Sequence, residues 1–346
     1  MTVRFPQNCW YVAATVDEVA HGEAYACEVA GEAIVMYRQT SGTVVAMADR
    51  CPHRFAPLSL GRVEGDDLRC MYHGLRFGPD GACAEIPGQD IIPKTFCTAT
   101  YAVVESFEWI WVWIGDQDLV DESIRPAELG HGSDDVLLNK GALTYDAYYE
   151  LMNDNLCDLS HLAFVHENTL GATSGGSAFA DRPPVLDYVE RGIRFDRWHT
   201  GIPLAPFIDG GIDLTDMWIS YDYVLPGVLL METGIYPDGT AEGCRWARPE
   251  GIGPYSASWS SQAVTPLDEH RTRYFFSVSV PVREPHHETS LHFGFMMASL
   301  AFEEDRKMIE AQQRVIHRHP TDRMLGISHD KALNHFRTLV RKAANA

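Results

Sequence analysis

The sequence predicts an α+β fold, with a small all-β domain at 1–117 and a larger domain at 118–346 that combines an antiparallel sheet with flanking helices. Three observations predict it. Short strand-like runs separated by turn residues fill the first region. Longer strand-like runs occupy 185–280. Apolar residues recur at helical spacing on both sides of those runs, at 144–167 and 291–318.

The first domain contains two clear turns. The segment 31–49 predicts a hairpin that turns at Ser41-Gly42, and a second turn is expected at 79–81, where Pro, Asp and Gly follow one another. The run FEWIWVWI then places three tryptophans on one strand face. We interpret this aromatic face as packing, because aromatic residues at a period of two are typical of β cores.

Composition excludes several classes of protein. The 346 residues include 28 Lys and Arg against 48 Asp and Glu, a net charge of −20 that disfavours nucleic-acid binding. The longest strongly apolar run, 107–115, is about half of the roughly 18–20 residues that a membrane helix needs. The N-terminal segment MTVRFPQNCWYVAA has no apolar signal region, so we expect a cytoplasmic protein.

One segment, 51–74, has metal-ligand spacing: Cys51-x-His53 is followed by Cys70-x2-His73. A zinc knuckle and unrelated core residues are the alternatives, but zinc sites usually use paired C-x2-C ligands. Here each cluster contributes one thiolate and one imidazole. That alternation favours a Rieske [2Fe–2S] centre, in which two Cys hold one iron and two His hold the other.

A second group of candidate ligands lies in NDNLCDLSHLAFVH. On a continuous helix, Asn155, Asp158, His161 and His166 share one broad face. Two histidines beside a carboxylate are typical of a metal site, and the alternative is two histidines that only cap or pack.

A further carboxylate occupies an apolar helical stripe in the segment 298–316. Asp305 lies within about 60° of Ala298, Phe302, Met308, Ile309, Gln312 and Ile316, whereas Glu303 and Glu304 lie off the stripe. A buried carboxylate is costly unless it is paired or bound to a metal. Asp305 is therefore a candidate ligand, with a buried salt bridge as the alternative.

These motifs resemble those of a known family. CPHR with C-x-Y-H-G resembles the Rieske motif of ring-hydroxylating and related oxygenases. D-N-L-x-D-L-x-H-x4-H resembles the mononuclear iron motif of the vanillate O-demethylase, dicamba monooxygenase and toluenesulfonate methyl-monooxygenase oxygenase components. NCWYVAA, EIPGQ and WVWIGD match as well. The resemblance covers nearly the whole chain and is thinnest between 170 and 295.

The resemblance implies a Rieske domain followed by a helix-grip-like catalytic domain, with one [2Fe–2S] cluster and one mononuclear Fe(II) per chain. It implies cluster ligands Cys51, His53, Cys70 and His73, iron ligands His161, His166 and Asp305, and catalytic roles for Asp158 and Asn155. In a head-to-tail homotrimer, Asp158 would link the cluster of one subunit to the iron of its neighbour. O2 is the implied co-substrate.

The electron donor is expected to be a separate protein. The chain has no G-x-G-x-x-G after a strand and no flavin-like motif. We therefore expect an NAD(P)H-dependent ferredoxin or flavin reductase as partner.

The resemblance implies hydroxylation of a methyl or methoxy substituent on an acidic aromatic compound. Ring hydroxylation, N-demethylation and alicyclic oxidation are alternatives, and a pure Rieske electron carrier or a zinc module is an alternative from another class. An oxygenase should hold about three irons per chain and a carrier two.

Five residues are candidate substrate contacts. Met231 and Met296 suggest an adaptable apolar lining, with core packing as the alternative. The candidate polar contacts are Glu232, Gln262 and His292. Residue patterns alone place no cation for an acidic substrate.

Overall fold

The computed structural model describes residues 5–170, 184–203, 214–284 and 286–345. The chain divides into two compact units. The first comprises Met1–Arg125, Thr265–Glu269 and Ala343–Ala346, and the second comprises Pro126–Val264 and His270–Lys342. Short antiparallel sheets build the first unit, and a large antiparallel sheet with helices builds the second. The predicted α+β class is confirmed.

Among its described residues, the first unit contains these short strands: β1 (Cys9–Thr15), β2 (Tyr25–Val29), β3 (Glu32–Arg38), β4 (Val44–Ala48), β5 (Arg62–Glu64), β6 (Asp67–Arg69), β7 (Arg76–Phe77), β8 (Cys83–Glu85), β9 (Thr100–Tyr101), β10 (Val103–Ser106) and β11 (Trp109–Ile114). They form three sheets, ordered β2-β3-β4-β9, β1-β11-β10 and β5-β6-β7-β8. The predicted hairpin is β3–β4, closed by a hydrogen bond from the Gly42 amide to the Gln39 carbonyl at 2.9 Å.

All six residues of β11 are buried. Ile110, Val112 and Ile114 join one apolar cluster with β1 and β3. Trp109 and Trp111 pack edge to face with ring centroids 5.8 Å apart, and both are fully buried. The tryptophan-rich strand is therefore core, as its alternation predicted.

The second unit is built on strands β12 (Val136–Tyr145), β13 (Val185–Val189), β14 (Gly192–Ile202), β15 (Thr215–Val224), β16 (Val228–Pro237), β17 (Ser256–Pro266) and β18 (Thr272–Pro281). They pair in the order β12-β18-β17-β16-β15-β14-β13. Its helices are α1 (Tyr149–Cys157), α2 (Leu162–Val165), α3 (Thr240–Gly243), α4 (His287–Arg318) and α5 (Lys331–Ala343). Helix α4 packs against β12 and β18.

The two faces of this sheet differ. Trp198, Trp218 and Tyr236 form an apolar cluster on one face, where α3 contributes Ala241. The alternate residues of the same strands point to the other face, because side chains alternate along a strand. That other face forms the floor of a cavity.

A helical segment within 144–167 is present, but the assumption of one continuous helix through 153–166 is wrong. Helix α1 ends at Cys157, and Asp158 has an extended backbone with φ −140° and ψ 97°. A 3₁₀ turn, Leu159–His161, and the short α2 follow. The Asp158 carboxylate accepts a hydrogen bond from the Ser160 amide at 2.9 Å, so this aspartate caps the next segment instead of continuing the helix. The long helix expected at 291–318 is confirmed and begins earlier, at His287.

Across the described residues, no helix combines the length and apolarity needed to cross a membrane. A cytoplasmic location stays a prediction.

Candidate metal centres and substrate cavity

Two loops of the first unit, beginning at Cys51 and Cys70, share one backbone pattern. In each loop the cysteine amide donates to the carbonyl five residues later, and the cysteine carbonyl accepts from the amide four residues later, all at 2.8–2.9 Å. That fourth residue has left-handed backbone in both loops, with φ +58° at Phe55 and +78° at Gly74. The two loops thus hold their cysteines in equivalent backbone positions, whereas His53 lies two residues and His73 three residues after its cysteine.

The sulfur and nitrogen atoms of the quartet are segregated. Cys51 and Cys70 are buried, whereas His53 and His73 are exposed. The two imidazole rings lie 4.5 Å apart between centroids. Burial, with a smaller contribution from Cys70, raises the pKa of the Cys51 thiol to about 11. Two buried thiols and two adjacent exposed imidazoles fit a Rieske cluster, in which two Cys would hold one iron and two His the other.

Arg69 braces the second loop, and its role was missed in the sequence. Its guanidinium donates to the Gly74 carbonyl at 2.7 Å and forms ion pairs with Glu64 at 2.7 Å and Glu85 at 2.9 Å. The Arg69 side chain therefore connects the loop to β5, which carries Glu64, and to β8, which carries Glu85. The only signal of this role in the sequence is the occurrence of Arg69, Glu64 and Glu85 on short strands around the loop.

The second unit brings together the other candidate ligands. One potential ligand atom from each of His161, His166 and Asp305 lies within 4.8 Å of the others. The Asp305 Oδ1 atom is 3.2 Å from His166 Nε2 and 3.6 Å from His161 Nε2. The Asn155 amide nitrogen donates to the same carboxylate oxygen at 3.1 Å and lies 3.3 Å from His161 Nε2. The four side chains converge although the helix that was expected to align Asn155, His161 and His166 is interrupted at Asp158.

Hydrogen bonds orient both imidazole rings. His161 Nδ1–H donates to the Asp158 carbonyl at 2.7 Å, and His166 Nδ1–H donates to the Glu304 carboxylate at 2.9 Å. Because a carbonyl and a carboxylate only accept, Nδ1 of each ring carries a proton, and Nε2 of each ring is the atom that faces Asp305 and would bind the metal. Ligating histidines are held in this way by outer partners. Two such imidazoles and one carboxylate fit a facial mononuclear iron site.

The histidines differ electrostatically. Burial lowers the pKa of His161. For His166, burial alone would lower the pKa, but the hydrogen bonds to Asp305 and Glu304 outweigh it and raise the pKa. A metal ion would displace any proton from Nε2, so iron binding at this site should release protons.

Asp305 is 5% exposed in the middle of α4. The buried stripe around it is only partly the predicted one: Ala298, Phe302 and Ile309 are buried, but Met308 is 55% exposed and Gln312 is exposed. The stripe is rotated toward Ala301 and Gln313 because α4 rests on β12 and β18 along that side. The ionic partners of Asp305 are His161 and His166.

Two family models match the chain. The Rieske [2Fe-2S] domain matches residues 9–101, and the vanillate O-demethylase oxygenase C-terminal domain matches residues 145–346, more than half of the chain. The chain belongs to the Rieske non-heme iron oxygenase family. The predicted family and the predicted oxidoreductase class are confirmed, and a zinc module or a pure electron carrier is excluded.

This oxygenase has close relatives of nearly equal length. It is 34% identical to the iron–sulfur subunit of the toluene-4-sulfonate monooxygenase system of Comamonas testosteroni, over 99% of this chain and 98% of that protein. It is 33% identical to the oxygenase component of a chloroacetanilide N-alkylformylase from Rhizorhabdus wittichii, over 90% and 86%. A crystal structure of dicamba monooxygenase with non-heme iron and dicamba aligns with a TM-score of 0.79 and 25% identity, over 99% and 98%. The predicted cofactors, a [2Fe–2S] cluster and a mononuclear iron, are confirmed.

Glu304 is a functional residue that the sequence analysis set aside. Glu304 is partly buried at the edge of the apolar stripe of α4. Its carboxylate accepts hydrogen bonds from His166 Nδ1 and from the Thr169 hydroxyl, the latter at 2.7 Å. Helical angle alone could not show this, because a glutamate is long enough to reach a neighbouring element. The adjacent acidic pair Glu304-Asp305 was the only signal in the sequence.

We expect Glu304→Gln to weaken Fe(II) binding about 10- to 100-fold, because the amide cannot hold the His166 tautomer as a carboxylate does. Competition with a chelator would measure this affinity, and the Rieske absorption would report the cluster. The matched control is Glu303→Gln, since Glu303 pairs with Arg306 on the same helix. Equal iron affinity in Glu304→Gln and wild-type protein would contradict the orienting role.

A cavity of about 440 Å³ in the second unit contains the candidate iron site in its wall. Its floor is one face of the sheet, and the walls include residues of α1, the 3₁₀ turn Leu159–His161, α2 and α4. The floor residues are Phe195, Arg197 and His199 of β14, Met217, Ile219 and Tyr221 of β15, Leu229, Met231 and Thr233 of β16, and Ser258, Ser260 and Gln262 of β17. Apolar side chains dominate the lining, which is typical of a small-molecule site.

The structure brings two of the predicted substrate residues to this cavity. Met231 and Gln262 line it. Gln262 is held in place: its amide nitrogen donates to Ser260 Oγ at 3.0 Å, and its amide oxygen accepts from the Tyr274 hydroxyl.

The other three predicted substrate contacts need correction. Glu232 follows Met231 on β16 and so points to the opposite sheet face, where it pairs with Arg248 at 2.8 Å. His292 and Met296 lie on the exposed side of α4, and Met296 is 41% exposed. None of the three is among the residues that line the cavity.

Proposed function

We propose that this oxygenase is the terminal component of a multicomponent aromatic monooxygenase that hydroxylates a methoxy or methyl substituent of an aromatic acid. Hydroxylation of a methoxy carbon gives an unstable hemiacetal, which releases formaldehyde and a phenol. The observation that carries the proposal is the apolar cavity of about 440 Å³ with His161, His166 and Asp305 in its wall. A ring-sized substrate would fit beside the iron ligands.

The proposal assigns residues 1–117 to the Rieske domain and 118–346 to the catalytic domain. Cys51 and Cys70 would hold one cluster iron and His53 and His73 the other. His161, His166 and Asp305 would hold the mononuclear iron, which supplies O2 activation when bound. Asn155 positions the Asp305 carboxylate through its amide hydrogen bond. The apolar lining excludes water and holds the aromatic ring.

We propose an electron path between subunits, from His73 of one chain through Asp158 to His161 of the next, in a head-to-tail homotrimer. Two exposed surfaces support it. Met71 and Tyr72, which precede His73, are 54% and 62% exposed, and Phe164, between the two iron histidines, is 83% exposed. Exposed apolar residues at both ends of a path are typical of an interaction surface. An active, stable monomer in solution would contradict the trimer.

We propose a separate NAD(P)H-dependent reductase, with a ferredoxin or flavin, as the electron donor. The relatives named as a system subunit and as an oxygenase component support a multicomponent arrangement. The purified chain should therefore not oxidise NADH by itself. Sustained turnover with NADH and no reductase would contradict this partner.

N-dealkylation is a second candidate reaction, because a relative of nearly equal identity is named an N-alkylformylase. Both reactions hydroxylate a carbon next to a heteroatom, so the same iron site serves either. The cavity lining decides between them by the substrate it admits. Ring hydroxylation and alicyclic oxidation stay as alternatives that product analysis separates.

The test is product analysis with the reductase and O2 supplied. The panel contains 4-methoxybenzoate, 4-methylbenzenesulfonate, an N-methylaniline and an unsubstituted benzoate. We expect formaldehyde from the first and a benzylic alcohol from the second. A ring diol from benzoate, or formaldehyde from the N-methylaniline alone, would contradict the proposed reaction.

A further inference from the structure

A cationic side chain lies on the cavity floor, on strand β14. Arg197 pairs with Ile219 across β14 and β15, and it lines the cavity between Phe195 and His199 of the same strand face. Helix α4, which carries Asp305, packs instead on β12 and β18. Strands β17, β16 and β15 lie between β18 and β14. Arg197 is therefore presented to the cavity from a different part of the sheet than the strands that support Asp305.

Among the cavity-lining residues that the structure describes, Arg197 is the only arginine or lysine. Burial lowers its pKa to about 10, so it stays charged at neutral pH. His199 is neutral there, because burial first and Arg197 second lower its pKa to about 3. The lining acids, Asp158 and Asp305, lie with the iron ligands. Arg197 thus brings a positive charge to a cavity whose lining is mostly apolar.

An aromatic pair adjoins this arginine. Phe195 and Tyr221, which oppose each other on β14 and β15, are stacked with ring centroids 4.9 Å apart. A ring packed beside them would place a substituent near the Arg197 guanidinium. A guanidinium in an apolar setting binds carboxylates and sulfonates through paired hydrogen bonds.

We propose that Arg197 is the specificity-determining residue that binds the carboxylate or sulfonate of an aromatic substrate, with the substituent to be oxidised directed toward His161 and Asp305. This inference deepens the proposed function and rests on it. It supplies the cation that residue patterns alone did not place.

The test measures binding separately from turnover. The probes are 4-methylbenzoate, 4-methylbenzenesulfonate and the neutral 4-methylbenzamide, titrated calorimetrically without O2. Wild-type protein should bind both acids at least about tenfold more tightly than the amide. Arg197→Met should weaken acid binding about 50-fold and leave amide binding nearly unchanged, and Arg197→Lys should restore part of the acid preference.

Arg194→Met is the matched control. Arg194 lies on the same strand but the opposite face, where it pairs with Asp222 at 2.5 Å, so its loss should leave the acid preference intact. The proposal is overturned if Arg197→Met keeps the wild-type ratio of acid to amide affinity, or if wild-type protein binds none of the three probes. Acid-selective binding without methyl oxidation in the product assay would leave Arg197 as the anion site and reject the proposed reaction.

Discussion

Asp305→Ala should lose the mononuclear iron and keep the Rieske cluster. The Asp305 carboxylate is the point on which His161, His166 and Asn155 converge, and it is 5% exposed. Without it, two imidazoles remain to hold the metal, and a two-ligand site binds Fe(II) weakly. Iron content should fall from about three to about two per chain, with unchanged Rieske absorption and turnover at background.

The control for this variant is Glu303→Ala, two residues away on α4, which removes a half-buried partner of Arg306. It should keep all the iron and full activity. Because Asp305→Ala also removes a buried hydrogen-bond acceptor, about 1–3 kcal/mol of folding stability is expected to be lost, and the melting temperature should be measured alongside. Full iron content in a folded Asp305→Ala protein would show that another residue is the third ligand.

Asp158→Asn should retain both metals and still lose about 100-fold in electron transfer from the cluster to the mononuclear site. The local structure tolerates the change. An asparagine oxygen can still accept from the Ser160 amide, and the backbone carbonyl that holds His161 is unaltered. The variant therefore removes the negative charge without removing the cap.

Single-turnover oxidation of the reduced Rieske absorption measures this step directly. Glu150→Gln, an exposed carboxylate in the first turn of α1, is the control and should transfer electrons at the wild-type rate. A separate variant, Asp158→Ala, distinguishes the electron-transfer role of Asp158 from its capping role. Alanine removes the charge and also the cap, at a cost of about 1 kcal/mol in stability. Wild-type electron transfer in Asp158→Asn would reject the bridging carboxylate.

The cluster site could be predicted because its chemistry is local. Cys51 and His53 lie in one tight loop and Cys70 and His73 in another, so short spacing within each loop nearly determines what the ligands can do. The family match to the Rieske domain agrees with that interpretation. The two loops are brought side by side by the β5–β6 hairpin, which lies between them in the chain and whose two ends are close together.

The candidate iron ligands were predicted correctly to lie together, but not by the helix that was expected to align them. A continuous helix would place Asn155, Asp158 and His161 on one face, but the chain breaks at Asp158. The ligand side chains still converge because α2 packs against both α4 and the 3₁₀ turn Leu159–His161. The residue types and their order therefore predicted the ligands, whereas the angles of a continuous helix did not describe how these side chains meet.

Ligand spacing and strand or helix periodicity act over a few residues, so the fold class and the two kinds of metal site could be predicted from the sequence, and the motifs carried the resemblance to the family. Which side chains share the cavity depends instead on how distant segments pack. Glu232 was expected there and points away, while Arg197 and Glu304 were not expected and face the functional site. Strand register and helix packing set these directions, and both depend on contacts between residues that are far apart in the chain.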